Sequence, residues 1–104
     1  MCNYDILFHN QHGYVVKCRQ CQHLKLAFGT AALTFSEEQF YDFKHIADGY
    51  FELNKSNNCR TQKQIQIPTS HSAVSLVYTI DELERLTDLM EEAHINLEVQ
   101  RLLA

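Results

Sequence analysis

The chemically most informative residues of this chain are its four cysteines. Cys18 and Cys21 form a Cys-x-x-Cys pair, and a tight turn with this spacing lets two thiolates chelate one metal ion. A closed structural zinc site takes four ligands in a tetrahedron. Because Cys2 and Cys59 bring the number of thiolates to four, the sequence predicts one structural zinc site made of all four cysteines.

The strands predicted around the cysteines decide whether these residues can meet. Strands at 4–8 and 14–17 flank a turn-like stretch, so they indicate a β-hairpin. Folding this hairpin back near residue 11 places Cys2 opposite residue 20, beside the Cys-x-x-Cys turn. Cys59 precedes the first strand of a later hairpin, and adjacent antiparallel strands could bring it to the same end of the sheet.

Other uses of these cysteines stay open. A redox Cys-x-x-Cys usually begins a helix, whose N-terminus lowers the thiol pKa, whereas the residues after Cys21 favour a strand. The cysteines could also be unliganded and partly buried. His12 or His23 could replace Cys2 or Cys59 as a metal ligand. Nearby cations would stabilise a cluster of thiolates, and five basic residues lie close to the cysteines in sequence: Lys17, Arg19, Lys25, Arg60 and Lys63.

A strand–turn–strand–helix unit follows the Cys-x-x-Cys pair. Its predicted strands are 24–28 and 31–35, and apolar residues at helical spacing predict a helix over 37–54. Ser36 and Gln39 have the spacing of a capping box, in which the two side chains bond each other's backbone amides at the start of a helix.

A second unit of the same kind occupies the rest of the chain. Strands are predicted at 65–67 and 73–78, and an amphipathic helix is predicted from about residue 80 to the mid-nineties. The tail to Ala104 either continues this helix or frays. Thr79 and Glu82 repeat the capping-box pattern. Since Ser36 and Thr79 are 43 positions apart and the flanking apolar residues match, the two units indicate an internal repeat.

Each predicted hairpin and each helix has one apolar face, so the two units need each other to bury these faces. The predicted fold is therefore α+β, with one antiparallel sheet and both helices on one of its faces. The chain forms one domain over 1–104. Residues 1–22 hold the N-terminal hairpin and the Cys-x-x-Cys turn, residues 23–58 the first unit, and residues 59–104 the second.

Composition limits the classes of protein that this chain can belong to. Its 104 residues, 45% apolar and 21% charged, suit one globular domain and exclude a disordered or collagen-like chain. Four cysteines are too few for a disulfide scaffold. A net charge of −4 disfavours nonspecific binding to nucleic acid, although residues 17–25 form a local basic stretch.

Targeting and catalytic signals are missing from the sequence. No apolar run approaches the roughly 18 residues of a membrane-spanning helix, and no signal peptide is evident at the N-terminus. We therefore expect a cytoplasmic protein with reduced thiols. The sequence has no phosphate loop, no dinucleotide fingerprint and no nucleophile elbow, and its histidines form no recognisable motif, so no catalytic residue is predicted.

Several segments resemble a family of small uncharacterised bacterial proteins of about this length. The similar segments are GYVVKCRQC at Gly13–Cys21, LKLAFGT at Leu24–Thr30, the turn at Ile67–Thr69 and the helix around Leu83–Leu86. The resemblance covers most of the chain and implies a single, self-contained domain. It implies no function and no catalytic residues.

These observations favour a small cytoplasmic binding or adaptor domain, not an enzyme, in which zinc ties the N-terminal hairpin to the two units. One alternative is a thiol redox or metal-handling enzyme that uses Cys18 and Cys21. Another is an RNA-binding zinc knuckle, which the acidic net charge and the shortage of arginines beside exposed aromatics weaken. A protein partner fits the first interpretation, and the oligomeric state stays open.

Overall fold

The computed structural model describes residues 3–103. Strands and helices follow one another in the predicted order, and most of their bounds agree with those predicted from the sequence. The elements are β1 (Tyr4–Asn10), β2 (Gly13–Cys18), β3 (Leu24–Phe28), β4 (Ala31–Phe35), α1 (Glu37–Asn54), β5 (Ile65–Pro68), β6 (Ser75–Tyr78) and α2 (Ile80–Leu103).

Strands β1 to β4 form an antiparallel sheet in chain order. Leu24, Leu26 and Phe28 are buried on one face of β3, as the alternation of side chains along a strand requires. Gly29, with a φ of +59°, closes the turn between β3 and β4 in a backbone conformation that glycine adopts without a steric penalty. Four-stranded pairing therefore follows from short local turns.

The first hairpin contains a β-bulge that sets its register. Tyr4 pairs with Cys18, and the register shifts between Ile6 and Phe8. The bulge contains Leu7, whose carbonyl accepts a hydrogen bond from the Asn96 side chain of α2. At the Tyr4 end of the hairpin, the pairing is the one that folding about residue 11 predicts.

Both predicted capping boxes begin helices. The Ser36 hydroxyl accepts from the Gln39 amide at 3.1 Å, and the Gln39 side chain accepts from the Ser36 amide at 2.8 Å. Thr79 and Glu82 make the same pair of bonds before α2, at 3.0 and 2.9 Å. Helix α1 has its predicted bounds, and α2 continues to Leu103, so the tail beyond the mid-nineties continues the helix.

Strands β5 and β6 form a two-stranded sheet of their own within the described part of the chain. The α+β class, the two helices and the repeated strand–strand–helix order are as predicted, but the second hairpin does not extend the first sheet. Pro68 has no amide hydrogen to donate to a further ladder. The hairpin instead contributes the buried side chains of Ile65, Ile67 and Tyr78, and the Tyr78 ring packs edge-on against Phe28 at 5.7 Å. The internal repeat is therefore not confirmed beyond the order of its elements.

The two helices pack against each other and cover the sheets. Helix α2 contacts β1, β2 and β6, while α1 contacts β4 and β5. The core between them is continuous and apolar, and its largest fully buried side chains include Phe40, Leu24, Ile67, Leu86 and Leu97. Neither helix is long and apolar enough, over the residues described, to cross a membrane.

Candidate functional site

The Cys-x-x-Cys turn joins β2 to β3 and is closed by backbone hydrogen bonds. The Cys18 amide donates to the His23 carbonyl at 2.9 Å, and the Gln22 amide donates to the Cys18 carbonyl at 3.0 Å. Cys18 thus bonds across the turn through both of its backbone groups. The turn is held by the two strands that flank it, because Lys17 pairs with Leu24 immediately before.

The Cys18 sulfur lies inside this turn. Cys18 is buried, with 1% of its surface exposed, and its Sγ accepts a hydrogen bond from the Cys21 amide at 3.4 Å. The thiol also donates to Gln20 Oε1 at 3.5 Å. Both contacts hold the sulfur within the turn. Cys21 is exposed at the rim, so the turn holds one buried and one accessible cysteine.

Gln22 adopts a backbone conformation that is uncommon for a residue with a side chain. Its φ is +65°, in the left-handed region. The Gln22 side chain donates to the Arg19 carbonyl at 2.8 Å and so bonds the turn a second time. Such conformations persist where the surrounding structure enforces them, and they cluster at functional sites.

The segment that precedes β1 lies along the turn. The Arg19 amide donates to the Asn3 carbonyl at 2.8 Å, and the Asn3 amide donates to Gln20 Oε1 at 2.8 Å. Gln20 therefore bonds both the Cys18 thiol and the backbone next to Cys2 in sequence. Cys2 itself lies outside the described residues.

Cys59 lies at the far end of α2 from the Cys-x-x-Cys turn. Its neighbour Arg60 pairs with Asp81, in the first turn of α2, at 2.7 Å. Cys18 lines a cleft with Gln100, near the other end of that helix. Asp81 and Gln100 are 19 residues apart, and a rise of 1.5 Å per residue separates them by about 28 Å. The structure therefore does not bring Cys59 to the Cys18–Cys21 pair. The physical reason is that β5 and β6 do not continue the first sheet.

The two histidines considered as ligands lie at opposite ends of the first sheet. His12 is in the turn between β1 and β2, and β2 separates it from Cys18 by six residues, or roughly 20 Å of strand. His23 immediately precedes β3 and is exposed. Within residues 3–103, no three His, Cys, Asp or Glu side chains are grouped closely enough to hold a metal ion.

The basic residues expected near the cysteines are largely engaged in ion pairs. Arg19 contacts Asp5 at 2.6 Å, and its hydrogen bond lowers the pKa of that carboxyl. Lys17 lies 3.9 Å from Glu37. Arg60 and Lys63 pair with acidic residues at the start of α2, far from the turn. The expected basic surface is thus divided between two regions and partly neutralised.

Sequence reasoning missed the residues that support the turn, namely Asn3, Gln20 and Gln22. Their roles depend on side-chain amides that bond the backbone across a turn, and amide residues carry no local signal for such a role. Their positions within and after the Cys-x-x-Cys pair are the only hint that the sequence contains.

A second polar cluster between the helices was also missed. The Tyr41 hydroxyl of α1 donates to Glu98 of α2 at 2.8 Å. Burial, together with this carboxylate, raises the pKa of Tyr41 to about 12. Arg101 lies 5.7 Å from the centre of the Tyr41 ring. The His94 ring packs edge-on against the Tyr41 ring, with 5.2 Å between the ring centres. Because every member binds another, we assign this cluster to helix packing.

Comparison with protein families identifies the chain. It belongs to DUF6686, a family of unknown function, whose model matches residues 1–103. This match confirms the resemblance to an uncharacterised family. No curated protein and no solved structure matches the chain.

Proposed function

We propose that this member of a family of unknown function is a small, non-catalytic binding domain that holds a structural zinc ion at its Cys-x-x-Cys turn. The observation that carries the proposal is the bond from the Cys21 amide to the buried Cys18 sulfur, at 3.4 Å. The bond holds the sulfur inside a tight Cys-x-x-Cys turn, the arrangement in which two cysteines chelate one metal ion once they lose their protons. The surrounding turn is closed by backbone hydrogen bonds.

Cys2 is the third ligand in this proposal. It is bonded covalently to Asn3, whose amide and carbonyl both bond to the turn at 2.8 Å. Consecutive Cα atoms are about 3.8 Å apart, and a Zn–S bond is about 2.3 Å long. The contacts of Asn3, its covalent neighbour, with Arg19 and Gln20 are what support Cys2 as the third ligand.

We assign the fourth position to His23 instead of Cys59. His23 is two residues past Cys21, and its exposed imidazole can change rotamer without disturbing the core. Cys59 would have to cross about 28 Å. Three cysteines and one histidine form an established ligand set for structural zinc. With four protein ligands the ion has no open position for a substrate, which supports a structural role over a catalytic one.

The metal would fasten the start of the chain to the turn between β2 and β3. Structural zinc contributes apparent binding free energies of about 10–16 kcal/mol in small peptides, so it would add substantially to the stability of this domain. We place this protein in the cytoplasm, where reduced thiols are available as ligands. We expect no nucleic-acid partner, because Lys17 and Arg19 already pair with carboxylates.

Metal analysis of protein purified without added metal tests this proposal. We expect one zinc ion per chain and one thiol, Cys59, that reacts at once with a thiol reagent. The other three thiols should react only after chelation. Cys18→Ser, Cys21→Ser and Cys2→Ser should each lose the zinc. Cys59→Ser is the matched control and should retain it.

Three outcomes would contradict the proposal in different ways. Absence of metal with a reversible Cys18–Cys21 disulfide at a cytoplasmic potential would favour the redox alternative. Loss of zinc in Cys59→Ser would support the four-cysteine site instead, with Cys59 supplied by a second chain. Full retention of zinc in His23→Ala, with unchanged affinity, would remove His23 from the ligand set.

A further inference from the structure

Helix α2 extends beyond the core that it covers. Its last buried residue is Leu97, yet the helix continues to Leu103. Four large apolar side chains on this part of the helix are exposed: Ile95 by 48%, Val99 by 45%, Leu102 by 84% and Leu103 by 83%. The described residues of the chain leave these side chains uncovered.

These side chains lie on one face of the helix. Ile95, Val99 and Leu102 follow one another at spacings of four and three residues, which place them on one side, and Leu103 lies beside them. The same spacing continues towards the N-terminus through Glu92 and Asp88. We call the set Asp88, Glu92, Ile95, Val99 and Leu102 the outer stripe. It has the four-and-three repeat of a coiled-coil seam.

The two acidic members of the outer stripe differ from their neighbours. The side chains of Asp88 and Glu92 are exposed and make no ion pair or hydrogen bond with the rest of the described chain. In contrast, Glu91 pairs with Lys44 at 2.7 Å, and Glu98 accepts from Tyr41. The outer stripe is therefore apolar at its C-terminal end and carries uncompensated negative charge at its N-terminal end. Arg85, one turn further towards the N-terminus, ends this acidic section.

A second copy of the chain fits the outer stripe poorly. Parallel pairing sets Asp88 and Glu92 against the same residues of the other copy. Antiparallel pairing along the whole stripe sets Asp88 against Leu102 and Glu92 close to Val99, which desolvates carboxylates without a partner. Pairing limited to residues 95–103 covers only about 13 Å of helix, and it leaves the carboxylates of Asp88 and Glu92 without a partner.

We infer that the outer stripe docks an amphipathic helix of another protein, one that carries apolar residues followed by lysine or arginine. The apolar residues pack on Ile95, Val99 and Leu102, in the helix-in-groove manner of peptide recognition. In an antiparallel arrangement, the basic residues come next along the partner and face Asp88 and Glu92. This inference rests on the proposed binding role but is independent of the zinc ion.

The test uses the full chain and two labelled synthetic helical peptides. The first peptide has three leucines at i, i+4 and i+7, followed by three lysines over the next two turns. The second has glutamate in place of each lysine. Fluorescence anisotropy should give the lysine peptide an affinity at least about tenfold higher than that of the glutamate peptide, and the difference should shrink at high salt.

Variants of the outer stripe sharpen the test. Val99→Asp should weaken binding of the lysine peptide by about tenfold or more, because it places a carboxylate in the apolar contact. The double variant Asp88→Lys and Glu92→Lys should reverse the preference and favour the glutamate peptide. Matched controls on α1 are Leu53→Asp, at a side chain that is 82% exposed, and Asp42→Lys, and both should bind like the parent chain.

Several results would overturn the inference. Equal affinities for the two peptides, or a preference that survives the double charge reversal, would remove the role of Asp88 and Glu92. A dimer in sedimentation equilibrium that Val99→Asp dissociates would assign the stripe to a second copy. Binding to anionic phospholipid vesicles in place of the lysine peptide would assign it to a membrane surface. Zinc content measured on the same samples separates these results from a failure of the metal site.

Discussion

Replacing Asn96 with alanine should destabilise the fold through the β-bulge in the first hairpin. The Asn96 side chain donates a hydrogen bond to the Leu7 carbonyl, between the two residues where the β1–β2 register shifts. Leu7 is only 3% exposed. Because the register shift interrupts the regular β1–β2 pairing at Leu7, the bond from α2 supplies a partner for that carbonyl. Alanine removes the donor and leaves the carbonyl buried.

The expected loss follows from the cost of a buried acceptor without a partner, which is about 1–3 kcal/mol. Asn96 is only partly buried, so water can approach from the helix side and the lower half of that range applies. In a domain of this size, 1 kcal/mol corresponds to about 4–5 °C in Tm. Asn96→Ala should therefore lower the free energy of unfolding by about 1–2 kcal/mol and the Tm by roughly 5–10 °C.

Asn96→Asp provides a sharper version of the same experiment. A carboxylate cannot donate and faces the carbonyl with like partial charge, so this variant should be less stable than Asn96→Ala at neutral pH. Repulsion by the carbonyl raises the pKa of the new carboxyl in the folded state. The excess loss should therefore diminish as the pH falls towards about 4, where the protonated acid can donate again.

Urea unfolding followed by circular dichroism measures these differences, and the slope of the transition should not change. Gln100→Ala is the matched control, because Gln100 is an exposed amide residue one turn further along α2. Equal unfolding midpoints for Asn96→Ala and Gln100→Ala would exclude a stabilising role for the Asn96–Leu7 bond. It is also refuted if Asn96→Asp is as stable as Asn96→Ala at neutral pH.

Four other changes have expected outcomes. Gly13→Ala places a Cβ 2.0 Å from the Ala27 carbonyl oxygen, so β2 and β3 must separate. We expect the free energy of unfolding in urea to fall by about 3 kcal/mol. A fall below about 1 kcal/mol would contradict the close approach of the two strands. Thr79→Ala removes the cap of α2 and should cost about 1 kcal/mol, whereas an unchanged midpoint would mean that water replaces the cap. Because the pKa of Tyr41 is raised to about 12 in the folded state, its contribution to stability is complete below pH 10 and is lost as the pH rises towards 12. Tyr41→Phe should therefore flatten the decline of the unfolding midpoint over that alkaline range, and an equally steep decline would exclude Tyr41 as its source. A chelator should lower the Tm of the parent chain but not that of Cys18→Ser. An equal effect on both proteins would mean that the stabilising metal is not bound at the Cys-x-x-Cys turn.

Much of the fold could be predicted because its signals are local. The bounds of β3, β4 and α1 follow from side-chain alternation, a glycine turn and the Ser36 capping box, and each involves residues close together in the chain. The Tyr4–Cys18 pairing at the end of the first hairpin follows from the position of its turn. Membership in an uncharacterised family was also predicted, from short motifs along most of the chain.

The candidate site could be predicted only where its residues are neighbours in the sequence or across one hairpin. Folding of the first hairpin about residue 11 therefore predicts that the segment before β1 lies beside the Cys-x-x-Cys turn, and Asn3 does bond this turn. Cys59 lies far from the turn. Placement of Cys59 depends on whether the second hairpin extends the first sheet, and a pattern of alternating apolar residues is the same in both cases. The amide side chains that brace the turn were not predictable, because their partners are backbone groups brought close by folding.

The sequence by itself determined the elements of this protein, their caps and its Cys-x-x-Cys turn, since these depend on contacts within a few residues. Only the tertiary structure decided that β5 and β6 form a separate sheet and that Cys59 lies at the opposite end of α2 from the turn. It also decided that the described residues leave one face of α2 uncovered near Leu103. The physical reason is that burial of apolar surface has no direction, so an apolar face can be covered by a strand, a helix or another protein. The whole packing arrangement, not the local pattern, selects among them.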